Sequence, residues 1–164
     1  MRRRKGSTVV EFTLVGVPLM FVLLGTFEMA RGIWTYHTFS YAVKEGTRLA
    51  VVHGANCYVA PNNCPLTVGQ IADRIRRSAV GLDQNETTLT FTSQNGGSIT
   101  CLMPNCLRNT TTWPPANSNN PGLDVQISGL YPFQTMVAMF WPGAGQMRAG
   151  TFQMPASSRE RIQF

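Results

Sequence analysis

From Phe12 to Phe27 the chain reads FTLVGVPLMFVLLGTF, without one charged side chain. With Thr8, Val9 and Val10 upstream the apolar run covers residues 8 to 27. As a helix rising about 1.5 Å per residue it extends roughly 30 Å, the thickness of a bilayer's hydrocarbon core. A membrane-spanning helix is the structure this predicts. Gly16, Pro18 and Gly25 would bend such a helix rather than end it. Directly before the run stand Arg2, Arg3, Arg4 and Lys5, which supply four of the net +6 charges and leave +2 when set aside. A basic block ending where an apolar run begins reads as a positive-inside flank. It lacks the aromatic interleaving or motif that would make it a nucleic-acid site, so no nucleic acid is expected as a partner.

A cleaved secretory signal also joins a basic block to an apolar core. Here no small-x-small cleavage site follows; the chain continues EMARGIW, with Glu28, Arg31 and the bulky Trp34. Twin-arginine export fits less well, because the rest of its motif is missing. Glu11, just inside the apolar stretch, would spoil a signal's core and is costly in lipid. A cut between Gly6 and Ser7 would give it a purpose. Ser7 would then carry a new amine one helical turn from Glu11, with amine and carboxylate on one face and the carboxylate in the first turn, near the positive end of the helix dipole. In an assembly the same carboxylate could meet a neighbouring subunit's amine.

A basic leader ending in Gly6, then four residues, then Glu11 and Phe12 and an apolar helix, resembles the prepilin-peptidase substrate motif of type IV pilins. Residues 6 to 52, with Pro18 in mid-helix, the step from Glu28 to Arg31 and KEGTR at Lys44 to Arg48, resemble TadE-like proteins, minor pseudopilins of the tight-adherence (Flp) pilus system. The C-terminal third resembles them more loosely, through LDVQIS, the Tyr131 to Phe133 step and Arg159-Glu160. The resemblance implies cleavage after Gly6 by a membrane aspartic peptidase, retention in the bacterial inner membrane with the N-terminus cytoplasmic, and partners among pilins, pseudopilins and inner-membrane assembly proteins. It does not separate a TadE-like from a TadF-like role. The cysteines and the Asn/Pro-rich segment 104 to 122 lie outside the family pattern.

Beyond the membrane run the helix continues to about residue 53, with Ile33, Tyr36, Ser40, Val43, Thr47 and Ala50 as an apolar stripe and Gly54 and Asn56 as stop signals. The stripe is expected to pack on the chain's own globular part in preference to a neighbouring subunit, although one helix has room for both along different parts of its length. TVGQ, Thr67 to Gln70, is a capping-box pattern opening a second helix whose face is Val68, Ile71, Ala72, Ile75, Ala79 and Leu82, with Gly81 as its stop. Arg74, Arg76 and Arg77 fall on its solvent side. TTLTFTS (87 to 93), an Asn-Gly turn in QNGG (94 to 97) and SITCL predict a hairpin. LDVQIS (123 to 128) and an extended piece around Met147 to Met154 would complete the sheet, FQTMVAMFW would serve as core in preference to a subunit-contact loop, and 104 to 122 would be an irregular loop.

Exported cysteines are normally oxidised. Pairing Cys57 with Cys64 and Cys101 with Cys106 is the simplest of three arrangements. Zinc is disfavoured, since neither spacing is CxxC and no histidine lies near the second pair. His37 and His53 read as structural. No HExxH, GxSxG or phosphate-cradling glycine motif occurs, and Asp73, Asp83, Glu86 and Asp124 are scattered, so neither an enzyme nor a cofactor or small-molecule substrate is expected.

The expectation is an α+β, pilin-like chain. Residues 1–6 form a leader, 7–53 a long transmembrane and amphipathic helix, and 54–164 a periplasmic part with a small antiparallel sheet and one further helix. The competing reading is an uncleaved, single-pass anchored periplasmic binding module that never enters a pilus.

Overall fold

A computed structural model describes residues 7–56, 65–136 and 151–162. The fold is α+β. Helix α1 (Ser7–Val51) is followed by α2 (Val68–Ser78), β1 (Thr88–Ser93), β2 (Gly97–Leu102), α3 (Met103–Leu107), a 3-10 turn at Ala116–Ser118, β3 (Asp124–Gln134) and β4 (Thr151–Arg161). The strands form one antiparallel sheet in the order β2-β1-β3-β4. Two units divide the chain. One holds α1 through Trp34, the end of β3 at Gln134 and the start of β4 at Thr151; the other holds Thr35–Phe133 and the chain from Phe152.

In the second unit, the buried stripe of α1 is Thr35, Phe39, Ala42, Val43, Thr47, Ala50 and Val51. The expected stripe is right at Val43, Thr47 and Ala50 and wrong further up, where Ile33 and Tyr36 are exposed. Phe39 sets the true phase: its ring contacts that of Tyr131, with centroids 5.9 Å apart. Small residues then let neighbours close in. A Cβ on Gly46 would stand 2.5 Å from Ile75 Cγ1, and one on Gly129 would stand 2.5 Å from Phe39 Cζ. After Val51 the chain turns through Gly54, whose φ of +147° is one that side-chain-bearing residues avoid.

Helix α2 begins with the expected capping box. The Thr67 hydroxyl accepts from Gln70 N–H at 3.3 Å, and the Gln70 side chain accepts from Thr67 N–H at 2.9 Å. Two of the N–H groups that a helix start leaves over are also satisfied: Val68 donates to Thr111 O and Gly69 to Asn109 O, each at 2.9 Å. Val68, Ile71, Ala72, Ile75, Ala79 and Leu82 are buried, as their spacing predicts. The helix stops at its Ala79 cap, ahead of Gly81.

The hairpin forms in the expected place, with pairs from Thr88↔Leu102 to Ser93↔Gly97. Leu89 and Phe91 face the core while the threonines alternate outward. β3 is longer than its six-residue signal. It pairs with β1 from Ser93↔Val125 to Thr88↔Leu130, so Pro132 falls beyond the last of those pairs, where β1 demands no N–H from it. FQTMVAMFW supplies the strand's end, with Phe133 buried; its residues 137–141 lie outside the described residues. β4 lies later than the expected Met147–Met154 piece, sharing only 151–154 with it, while 147–150 lie outside the described residues. Its polar SSRER stretch conceals the strand, because an edge strand needs few apolar anchors; Ala156 is its buried one.

Segment 104 to 122 is more ordered than its composition suggests. It carries most of α3, the 3-10 turn and the buried Cys106, Trp113, Ser118 and Asn119. Trp113 packs edge-on against Phe91 with ring centroids 5.4 Å apart, and its backbone N–H donates to Leu66 O at 2.8 Å. Proline and asparagine density is a sound signal for irregular backbone, but one buried tryptophan is enough to make such a segment part of the core. Cys101 and Cys106 are joined by a disulfide between β2 and α3, with Cα atoms 5.4 Å apart. Cys57 and Cys64 lie outside the described residues.

A Cβ on Gly69 would stand 2.7 Å from the backbone oxygen of Leu107, and backbone cannot step aside as a side-chain tip can. Gly69→Ala is therefore expected to cost about 1–3 kcal/mol, read as a lower thermal midpoint of the full chain in detergent. Gly25→Ala, with nothing within 4 Å, should leave that midpoint unchanged. Equal midpoints for the two variants would refute the close α2–α3 contact.

Candidate functional site

The first half of α1 is an apolar surface whose large side chains are exposed. Val9, Val10, Phe12, Leu14, Val15, Val17, Leu19, Met20, Phe21, Val22, Leu23, Leu24, Phe27 and Met29 are all exposed, Phe12 at 78%. They occupy every face of the helix, unlike the one-sided stripe that begins at Thr35. α1 is long and apolar enough to cross a membrane. Its few polar groups are arranged for that setting: Thr13 Oγ1 donates to Val9 O and Thr26 Oγ1 to Leu23 O, each at 2.8 Å, so both hydroxyls are satisfied within the helix. Pro18 lies inside the helix without ending it.

Ser7 and Glu11 lie four residues apart on α1, hence on one face. Glu11 is the fifth residue of the helix, one position past the first turn where the dipole argument had placed it. Phe12, beside it, lies over Gly16, where a Cβ would stand 3.8 Å from the ring. Gly6 lies outside the described residues.

Where the apolar run ends, Arg31 and Glu28 form an ion pair at 3.1 Å. Both also reach the end of β3. The guanidinium of Arg31 donates to Gln134 O, and the Glu28 carboxylate accepts from Met136 N–H at 3.2 Å. The sequence marks Glu28 and Arg31 as the run's boundary, but their backbone partners more than a hundred residues away carry no local signal.

Three further carboxylates are each paired with two arginines. In the second unit, Glu45 bonds Arg48 and Arg74, at 3.3 and 3.1 Å, and Asp73 bonds Arg76 and Arg77, at 2.6 and 2.7 Å. Several of them line an open groove of about 570 Å³ with Leu49 and Gln70. Asp124 bridges Arg159 at 2.7 Å and Arg161 at 3.1 Å. His53 Nδ1 lies 2.9 Å from Leu49 O, a helix-end contact, and the exposed His37 meets Tyr36 edge-on. Among the described residues no group of three or more His, Cys, Asp or Glu is placed to hold a metal. The concentrated feature is therefore the bare apolar helix with Glu11 near its start.

The N-terminal segment is similar to TadE-like proteins. Residues 6–48 match the family model described as TadE-like protein. The match opens at Gly6, takes in Glu11, Phe12, Pro18, Glu28 and Arg31, and stops before the last residues of α1, so α2, the sheet and the disulfide lie beyond it. No curated protein matches the chain. No solved structure matches it either.

The paired arginines hold three carboxyl groups below their usual range: Arg74 and then Arg48 act on Glu45, Arg76 and Arg77 on Asp73, Arg161 and Arg159 on Asp124. A carboxylate whose folded-state pKa is lowered contributes stability that is fully present above its unfolded value and is lost as pH falls through the folded value. The thermal midpoint should thus hold from neutrality to about pH 5 and decline below the ordinary carboxylate range. Asp124→Asn should flatten part of that decline. An unaltered pH profile in that variant would mean that the β3–β4 ion pairs add nothing.

Proposed function

We propose that this chain is a minor pseudopilin, stored in the inner membrane by α1 and used in building a tight-adherence pilus for surface adhesion. The observation that carries this reading is a coincidence at one place. The TadE-like match begins at Gly6, α1 begins at Ser7 with Glu11 as its fifth residue, and from Val9 onward the helix's large apolar side chains are exposed. Removal of residues 1–6 by a prepilin peptidase would leave the Ser7 amine one turn from the Glu11 carboxylate, lowering the cost of a charge near lipid. Gly6 and Ser7 then form the processing site, and Glu11 and Phe12 the assembly end.

The partners in this reading are the prepilin peptidase, other pilins and pseudopilins, and inner-membrane assembly proteins, with the sheet-bearing part periplasmic and the N-terminus cytoplasmic. Cysteine oxidation suits that compartment. It involves no cofactor. The second reading, an uncleaved anchored periplasmic module, draws on a different observation: everything after Arg48, including α2, the sheet and the Cys101–Cys106 bond, lies outside the family match.

Intact mass and N-terminal analysis of the protein from its native membrane, with and without the prepilin peptidase, separates the two. A peptidase-dependent start at Ser7 is expected. A leader retained in both strains would refute processing and leave the uncleaved anchor, whereas a start near Arg31 would mark an ordinary signal peptide.

A further inference from the structure

The strand end held by Glu28 and Arg31 has a chemistry of its own. Gln134 O and Met136 N–H lie at and just beyond the end of β3, past its last pair with β1, where β1 offers no partners. α1 supplies them through one carboxylate and one guanidinium that also neutralise each other. Such closure would be superfluous in water, which satisfies strand ends freely. It becomes necessary where water is scarce, because an unsatisfied backbone group has no other partner there.

The surrounding side chains agree. Phe27, Arg31 and Trp34 recur at spacings of four and three, so they lie along one face of α1, with the clamp between two aromatic rings. Phe27, Met29, Ile33 and Trp34 are exposed, and so is Met136, at 63%. Tryptophan at this level suits the boundary between acyl chains and headgroups, where an amphipathic ring is at its most stable, and an arginine there can keep its charge near the polar layer.

We propose that the end of β3 is a second lipid contact of this chain: the Glu28–Arg31 clamp holds Met136 at the level of Phe27 and Trp34, within the headgroup–acyl boundary of the bilayer. This rests on the reading of α1 as a membrane anchor and adds to it. The occupant is lipid rather than a second copy, because the exposed apolar side chains of the bilayer-length part of α1 continue through Phe27 and Met29 to Ile33 and Trp34, on either side of the Glu28–Arg31 pair. The consequence is a chain fixed in depth at two points far apart in sequence.

The test uses the full chain in phosphatidylethanolamine–phosphatidylglycerol vesicles, with a diazirine amino acid placed singly at Phe21, Val80 or Met136. Irradiation and mass spectrometry then identify what each position has bonded. Lipid adducts are expected at 21 and 136 and none at 80, which is exposed on the second unit. Glu28→Gln combined with Arg31→Gln should lower the yield of lipid adduct at 136 by about tenfold, the loss of charge-assisted hydrogen bonds, and leave the yield at 21 unchanged. Adducts at 21 but not at 136 would overturn the second contact while sparing the anchor. Protein–protein adducts at 136 in place of lipid would also overturn it, in favour of a second copy. Absence of lipid adducts at 21 as well would bring down the anchor reading and this proposal together.

Discussion

One helix has to satisfy two solvents. Residues 9 to 29 of α1 present apolar side chains in every direction, a surface that water solvates poorly and that no described part of the chain covers. From Thr35 the same helix buries one side against α2 and the sheet and gives the other to water. Nothing breaks between the two halves: the backbone hydrogen bonds run from Ser7 to Val51. The change lies entirely in which faces carry apolar groups, and it fixes where an anchor can end and where a folded part can begin.

The folded part answers that constraint with close approach more than with bulk. Gly46 admits Ile75, Gly69 admits the Leu107 carbonyl, and Gly129 admits the Phe39 ring. Around these contacts the core is completed by Phe91 and Trp113, the latter contributed by the proline-rich segment, whose carbonyls also serve the first N–H groups of α2. Small residues at such crossings let a modest set of large side chains reach one another, which matters in a chain of 164 residues that sets aside so much of its length as bare helix.

Local signals were the legible ones. The capping box at Thr67, the apolar face of α2 and the Asn-Gly hairpin each depend on residues a few positions apart, and each was readable from spacing alone. The bare helix was readable as well, because a bilayer-length run without charge has few other uses. What escaped depends on distant partners. The phase of the α1 stripe is set by Phe39 meeting Tyr131 and Gly129; the order in 104 to 122 is set by Trp113 finding Phe91; and β4 hides in polar residues because only one edge of it is paired. Of the candidate site, Glu11, Phe12 and the Glu28–Arg31 boundary were visible in sequence, while the capture of the β3 end by that boundary was not.

The central claim is that α1 changes solvent along its length, from lipid on all sides to protein on one. A nitroxide side chain scanned through α1 of the full chain in bilayers, with its accessibility to oxygen and to a water-soluble nickel chelate recorded at each position, measures this directly. The account predicts high oxygen and low nickel accessibility at every position through Phe27, without helical periodicity, and a periodic pattern from Thr35 onward with minima at Phe39, Val43 and Thr47. A periodic pattern already present between Val9 and Phe27, or nickel accessibility throughout that stretch, would contradict it.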